Sequence, residues 1–228
     1  MSVDLCSSIA RPSRERPPQP GVQSGAILVA VIEQESRRPI ALAVLLIVGG
    51  ALGLLAAFAL TMDKFAVLEH PAAQVNCDFS VLVQCSTNLK SWQGSLFGFP
   101  NPIIGLVGFP APIFMGVALL AGARFPRWFW LVFEAGMLFA LAFVIWLMSE
   151  SIFVLGTLCP WCMLVWSVVI PMTVAVTLYE LSAGLLPIGR GARRVGAVLY
   201  GWTPLISLLA YVLVAVLAQL RLNVLGTI

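Results

Sequence analysis

In a chain of 228 residues with 60% hydrophobic side chains, 10% charged side chains and one histidine, the apolar content excludes an ordinary water-soluble domain and marks a polytopic membrane protein. The net charge of +3 does not imply nucleic-acid binding, because the cations follow the membrane topology and form no single basic patch. No internal repeat, phosphate-binding glycine loop or metalloprotease helix occurs.

Residues 1–38 are rich in Pro, Ser and Arg and are expected to form a disordered tail. Within that tail the apolar run Gly21–Ile32 is too short to span and reads as juxtamembrane. A helix needs about 20 apolar residues to cross a bilayer, where hydrocarbon offers its backbone no other partner. Five stretches qualify: Pro39–Met62, Pro102–Ala123, Trp128–Ser149, Pro160–Tyr179 and Val195–Leu220, and of these only the third carries a charge, Glu134. Ala57-Phe58-Ala59 imitates a signal-peptidase site, but its apolar run is too long for a signal core and follows a long polar tail, so it reads as a retained first helix.

Arg11, Arg14, Arg16, Arg37 and Arg38 precede the first span. Arg124 and Arg127 follow the second, and Arg190, Arg193 and Arg194 follow the fourth. The positive-inside rule makes that face cytoplasmic. Lys64, Lys90 and Arg221 are left for the other side. The N-terminus is therefore expected inside, and the C-terminus, loop 63–101 and turn 150–159 outside. Four of the five cysteines, Cys77, Cys85, Cys159 and Cys162, then share an extracytoplasmic, oxidising compartment where disulfides persist. Cys6 stays in the cytoplasmic tail, where a thiol cannot reach the outer mouth.

Cys159-Pro-Trp-Cys162 can be a metal half-site, a staple or a redox pair. Zinc needs four ligands, commonly in two close pairs, whereas the other two cysteines are separated by seven residues and His70 is the only histidine. A structural disulfide across so small a loop removes little chain entropy and strains easily. Pro160 suits a first helical turn, so the two thiols bracket the start of the fourth helix, where free amides and the dipole favour thiolate. Cys162, just inside the helix, is expected to be the better stabilised and to lie deeper, facing a lipid-soluble oxidant such as a quinone. In the long loop, Leu89, Trp92 and Leu96 form an i, i+3, i+7 stripe after Cys85, the pattern of an interfacial amphipathic helix that lies over the outer mouth of the bundle and brings Cys85 near Cys159.

Cys77 and Cys85, Ser91 six residues further on, Phe97-Gly98, Asn101 with Gly105, and the downstream Cys159-Pro-Trp-Cys162 together resemble the vitamin K epoxide reductase family, especially its bacterial members, over about residues 40–180. The resemblance implies an all-α integral membrane protein, a four-helix bundle around a quinone, with a fifth transmembrane helix at the C-terminus. It divides the chain into the tail 1–38, a catalytic domain over 39–181 and a cytoplasmic loop with the fifth helix over 182–228. Cys77 and Cys85 become the shuttle pair, Cys159 and Cys162 the pair beside the quinone, Ser91 a support of the active centre and Asn101 a hydrogen-bond donor to a quinone oxygen. Trp166 stands where animal members carry a quinone- or epoxide-binding tyrosine, which sets epoxide chemistry in doubt, although an indole still packs on a ring or donates one hydrogen bond. Some bacterial members continue into a fused thioredoxin domain, whereas this sequence stops at Ile228.

The implied activity is that of a bacterial inner-membrane thiol oxidase. A separate DsbA-like thioredoxin-fold protein attacks Cys77, the released Cys85 attacks Cys159, and Cys162 faces menaquinone or ubiquinone. A membrane scaffold with structural disulfides in its outer loop is the alternative. A DsbB-like oxidase fits less well, since its first pair is usually a close CxxC.

Overall fold

The computed structural model describes residues 39–70, 75, 77–186 and 188–223. The tail 1–38, with Cys6, its arginines and Gly21–Ile32, lies outside the described residues. The described chain is all-α. In order come α1 (Ile40–Glu69), the short α2 (Ser86–Lys90) with a 3-10 turn over Trp92–Ser95, α3 (Pro102–Gly108), α4 (Pro110–Leu120), α5 (Arg127–Ser149) closed by a π-helical turn over Glu150–Leu155, α6 (Pro160–Ala183), α7 (Arg190–Tyr200) and α8 (Thr203–Leu222). Five of these stretches are long and apolar enough to cross a membrane: α1, α3 with α4, α5 with its π turn, α6 and α8. The multi-pass character expected from hydropathy therefore holds.

Three boundaries differ from the hydropathy reading. At about 1.5 Å per residue α1 is roughly 45 Å long, more than a hydrocarbon core of about 30 Å, and its last turns carry Asp63, Lys64 and Glu69 on into what reads as loop. The second span breaks at Phe109, ahead of Pro110, which has no N–H to continue the ladder. The fifth stretch divides, because Val195–Tyr200 belongs to the arginine-bearing α7. That helix docks on the end of α6 through Gly196 against Leu181 and an Arg193 Nε bond to the Ser182 carbonyl. Only after Gly201-Trp202 does the membrane-length α8 begin.

The core lies between α1 and α6. Leu42, Ala43, Leu46 and Ala56 of α1 are buried, as are Met172, Thr173, Ala175 and Val176 of α6. Between helices in lipid, close backbone approach by small residues replaces the hydrophobic effect as the packing device. Here Gly49 meets Met172 of α6, while Gly50 and Gly53 meet Ile113 and Phe109. α1 thus packs on α3, α4 and α6, and α6 in turn packs on α5, α7 and α8. No comparable packing joins α3 or α4 to α5. That missing contact leaves a gap on one side of the bundle. Glu134 of α5 is buried and accepts a 2.6 Å bond from Thr177 of α6, as an ionisable group inside a span must find a partner.

Candidate active site

Two backbone hydrogen bonds position the thiols. Leu158 N–H donates to the Leu82 carbonyl at 2.7 Å, and Gln84 N–H donates to the Leu158 carbonyl at 3.0 Å, forming an isolated parallel bridge between Val83 and Leu158. The residues next after the bridged segments are Cys85 and Cys159, so the bridge sets the sulfurs side by side. Asn88 Nδ2 donates to Thr157 Oγ1 at 3.3 Å, and Lys64 Nζ donates to the Leu89 carbonyl, which ties the loop to the CxxC approach and to α1. Cys77 and Cys85 form a disulfide, Cys159 and Cys162 are free thiols, and Cys159 Sγ lies 3.1 Å from Cys85 Sγ. Cys85 and Cys159 have no exposed surface and are buried with Leu60, Val67, Val75 and Leu89 in a largely apolar cluster.

The start of α6 favours one of its two thiols, and it is not the expected one. Cys159 is the N-cap, and its sulfur accepts the Cys162 N–H at 3.4 Å. Cys162 already lies inside the helix and donates its amide to its neighbour. The Cys162 side chain, against the opposing effects of burial and of the Asp63 charge and with help from the Cys162 and Trp161 amides, holds the Cys159 thiol below its ordinary value. Such a thiolate can attack Cys85 and expel Cys77. Cys162 lines a different space, a cavity of about 570 Å³ in the gap between α3–α4 and α5.

That cavity runs along α5 from Phe129 to Leu155 and reaches the outer surface of the bundle at Gly108, Val132 and Phe139. Its lining includes Cys162 and the polar side chains of Ser91, Gln93, Asn101 and Glu150. Trp166, four residues after Cys162, is buried in its wall. Ser91 holds the turn, accepting from Gly94 N–H at 3.3 Å and donating to the Asn88 carbonyl at 2.8 Å. Asn101 spans the same loop, donating to the Gln93 carbonyl at 2.6 Å and accepting from Leu96 N–H at 3.1 Å, which leaves one of its two amide hydrogens uncommitted by these bonds. Gln93 Nε2 donates to Glu150 Oε2 at 3.1 Å, while Gln93 Oε1 is buried with no hydrogen-bond partner.

The amphipathic helix expected after Cys85 does not form as one piece. Ser91 is extended, so α2 ends at Lys90 and the 3-10 turn sets off in a new direction. Leu89 is buried at 4% exposure, whereas Trp92 is 65% exposed and packs at a tilt against Trp146 of α5. Residues that sequence reasoning passed over surround the disulfide. Asp63 Oδ2 lies 3.4 Å from Cys77 Sγ, and Asp78 Oδ1 accepts the N–H groups of Cys85 at 2.8 Å and Ser86 at 3.1 Å. Asp63, Cys77 and Cys85 bring their donor atoms within 4.8 Å of one another, but the two sulfurs are bonded together, so the trio is a redox pair beside a carboxylate and not a ligand set.

Burial works against the Asp78 charge, but the bonds from Ser86 and Cys85 prevail and hold its carboxyl below the ordinary carboxylate range. A depressed folded value means that the anchor is at full strength above the unfolded pKa of about 4 and weakens as pH falls through the folded one. The protection of Cys77–Cys85 against a phosphine, measured as the ratio of the Asp78→Asn rate to the wild-type rate so that protonation of the phosphine cancels, is therefore expected to shrink as the pH is taken below about 4. At neutral pH Asp78→Asn should react faster than wild type.

The model of the vitamin K epoxide reductase family matches residues 44–177, more than half of the chain and all four of these cysteines. No curated protein matches the chain.

Proposed function

The chain belongs to the vitamin K epoxide reductase family and is a membrane thiol–disulfide oxidoreductase, and we propose that it oxidises a separate DsbA-like thioredoxin-fold protein and delivers the two electrons to a membrane quinone. The observation that carries this reading is the 3.1 Å approach of Cys159 to Cys85, with a cavity behind Cys162 on the other side of the CxxC turn. A scaffold needs its disulfide closed and quiet. A free thiol favoured as thiolate and touching that disulfide is instead a pair poised for exchange.

In the forward direction the partner's thiolate attacks Cys77, Cys85 leaves and attacks Cys159 of the oxidised CxxC, and Cys162 is released towards the cavity. Phe79 and Val81, 74% and 84% exposed just after Cys77, support an apolar contact with the partner there. A quinone supplies the acceptor of two electrons and two protons. The lining would suit its ring and tail: an apolar wall running along α5, Trp166 four residues after Cys162, and the polar side chains of Gln93 and Asn101 at one end. The uncommitted Asn101 hydrogen would be available to a ring oxygen, Ser91 braces the turn that carries Gln93, and either menaquinone or ubiquinone would suit this lining. The catalytic unit spans 39–181, flanked by the tail 1–38 and by the segment 182–228.

We place this unit in a bacterial inner membrane with the cysteines extracytoplasmic. Arg127 Nε donates to the Leu185 carbonyl, so the loops after the second and fourth spans share the arginine-rich end, opposite the thiols. A reporter active only outside the cytoplasm is expected to work after Ile228 and to fail between Gly189 and Arg193; the reverse pattern puts the thiols in a reducing compartment and contradicts the relay. In bacteria lacking their own DsbA oxidase, the wild-type chain should return DsbA to its disulfide form and Cys85→Ser should leave it reduced. A reduced pool in cells making the wild type counts against the proposal.

A further inference from the structure

We propose that Asp63 is the acid–base group of Cys77, giving a proton to its sulfur when it leaves a disulfide and taking the proton back when it attacks. The inference rests on the thiol-exchange half of the proposed function and not on the quinone. Its observation is the 3.4 Å contact between Asp63 Oδ2 and Cys77 Sγ, which has no role in the relay derived above. In the closed Cys77–Cys85 state Cys77 is 3% exposed and lies against the carboxylate, and a bare thiolate held beside an ionised carboxylate in that largely apolar pocket is doubly disfavoured.

The neighbouring charged groups have other partners. Lys64 donates to the Leu89 carbonyl, Asp78 accepts the amides of Cys85 and Ser86, and Cys159 takes the Cys162 N–H. The helix positions the carboxylate: the last turns of α1 hold Asp63 beside Cys77.

After the partner has formed a mixed disulfide with Cys77, its second thiolate attacks its own bonded sulfur, closes the partner's disulfide and expels Cys77. The departing sulfur takes the proton of the Asp63 carboxylic acid and becomes a thiol, leaving a carboxylate. When Cys85 is bound to Cys159, that carboxylate removes the proton again, the Cys77 thiolate attacks Cys85, the Cys77–Cys85 bond forms and Cys159 departs as the thiolate that its helix cap favours. Asp63 ends protonated, as it began.

Two measurements on the full chain in detergent separate this role from a structural one. In the first, oxidised protein is mixed with reduced DsbA, samples are quenched in acid, and the mixed disulfide at Cys77 is followed. Its decay should slow about tenfold or more in Asp63→Asn, at the low end of general acid–base effects because a thiolate is a tolerable leaving group, and return to within about threefold of wild type in Asp63→Glu. In the second, fully reduced protein is alkylated at neutral pH. Removing the neighbouring negative charge should make Cys77 react about threefold faster in Asp63→Asn. Slower release with faster alkylation is the expected signature. Unchanged decay overturns the assignment, and so does a fall in both rates together, which marks a damaged loop; the relay survives either result. A wild type that forms no mixed disulfide at Cys77 overturns the exchange reading and this inference with it.

Discussion

Cys162→Ser is expected to lower quinone reduction by roughly a thousandfold or more, as removal of a covalent nucleophile does, and to accumulate a disulfide between Cys85 and Cys159. The two sulfurs are already 3.1 Å apart, held there by the bridge between Val83 and Leu158. An attack by Cys159 on Cys85 therefore needs no loop movement. In the native chain the interloop bond resolves either by Cys162 returning onto Cys159 or by Cys77 returning onto Cys85. Serine is a poor nucleophile at neutral pH, so the first exit closes and the bond lives longer, with Cys77 free or linked to the partner. Cys159→Ser should be equally inactive and form no interloop bond. Thiol alkylation followed by non-reducing digestion and mass spectrometry distinguishes the two variants. A Cys77–Cys159 bond in the first would reverse the shuttle roles, and a loop pair that stays closed with no interloop bond would favour the structural scaffold.

Gly116→Val is expected to be among the most destabilising single changes in the bundle, by about 3 kcal/mol or more, because it combines overpacking with forced separation of two helices. A Cβ at Gly116 would stand 2.6 Å from the Ala43 carbonyl oxygen and 2.7 Å from Ile47 Cγ1. The first of these atoms is backbone and cannot step aside, so α4 must leave α1. Since α1 and α6 also carry the loop and the CxxC turn, the thiols lose their alignment with the same movement. Gly136→Ala is the comparison. Outside its own helical turn nothing comes within 4 Å of a Cβ there, and alanine in a helix interior gains up to about 1 kcal/mol over glycine, so this variant should melt at or above wild type. Thermal unfolding in detergent measures both, and equal melting of the two variants would refute the packing argument.

The spans were legible because lipid leaves a long apolar helix as the main option, and so was the grouping of four thiols at one end. The family match supports the class of fold and chemistry read from Cys77, Cys85 and the CxxC. What the pattern missed depends on local breaks and on partners distant in sequence. The stripe Leu89, Trp92, Leu96 reads as one helix, but the Ser91 side chain bonds the Asn88 carbonyl and the Gly94 amide, and this alternative wins over helix continuation. Cys162 reads as the favoured thiolate on position alone, whereas the cap geometry gives the amide to Cys159. Asp63 and Lys64 read as the first charges beyond a span, since nothing local shows that α1 continues to Glu69 and carries them under the disulfide. The bridge at Leu158 joins segments 75 residues apart and leaves no periodic trace.

The most direct test of electron transfer from thiol pair to quinone is the quinone absorbance during oxidation of reduced DsbA by the purified chain. The relay predicts one quinone reduced for each DsbA disulfide formed, with none reduced when Cys85 or Cys159 is serine. DsbA oxidised with no change in quinone absorbance, or quinone consumed equally by the Cys85→Ser and Cys159→Ser variants, would contradict it.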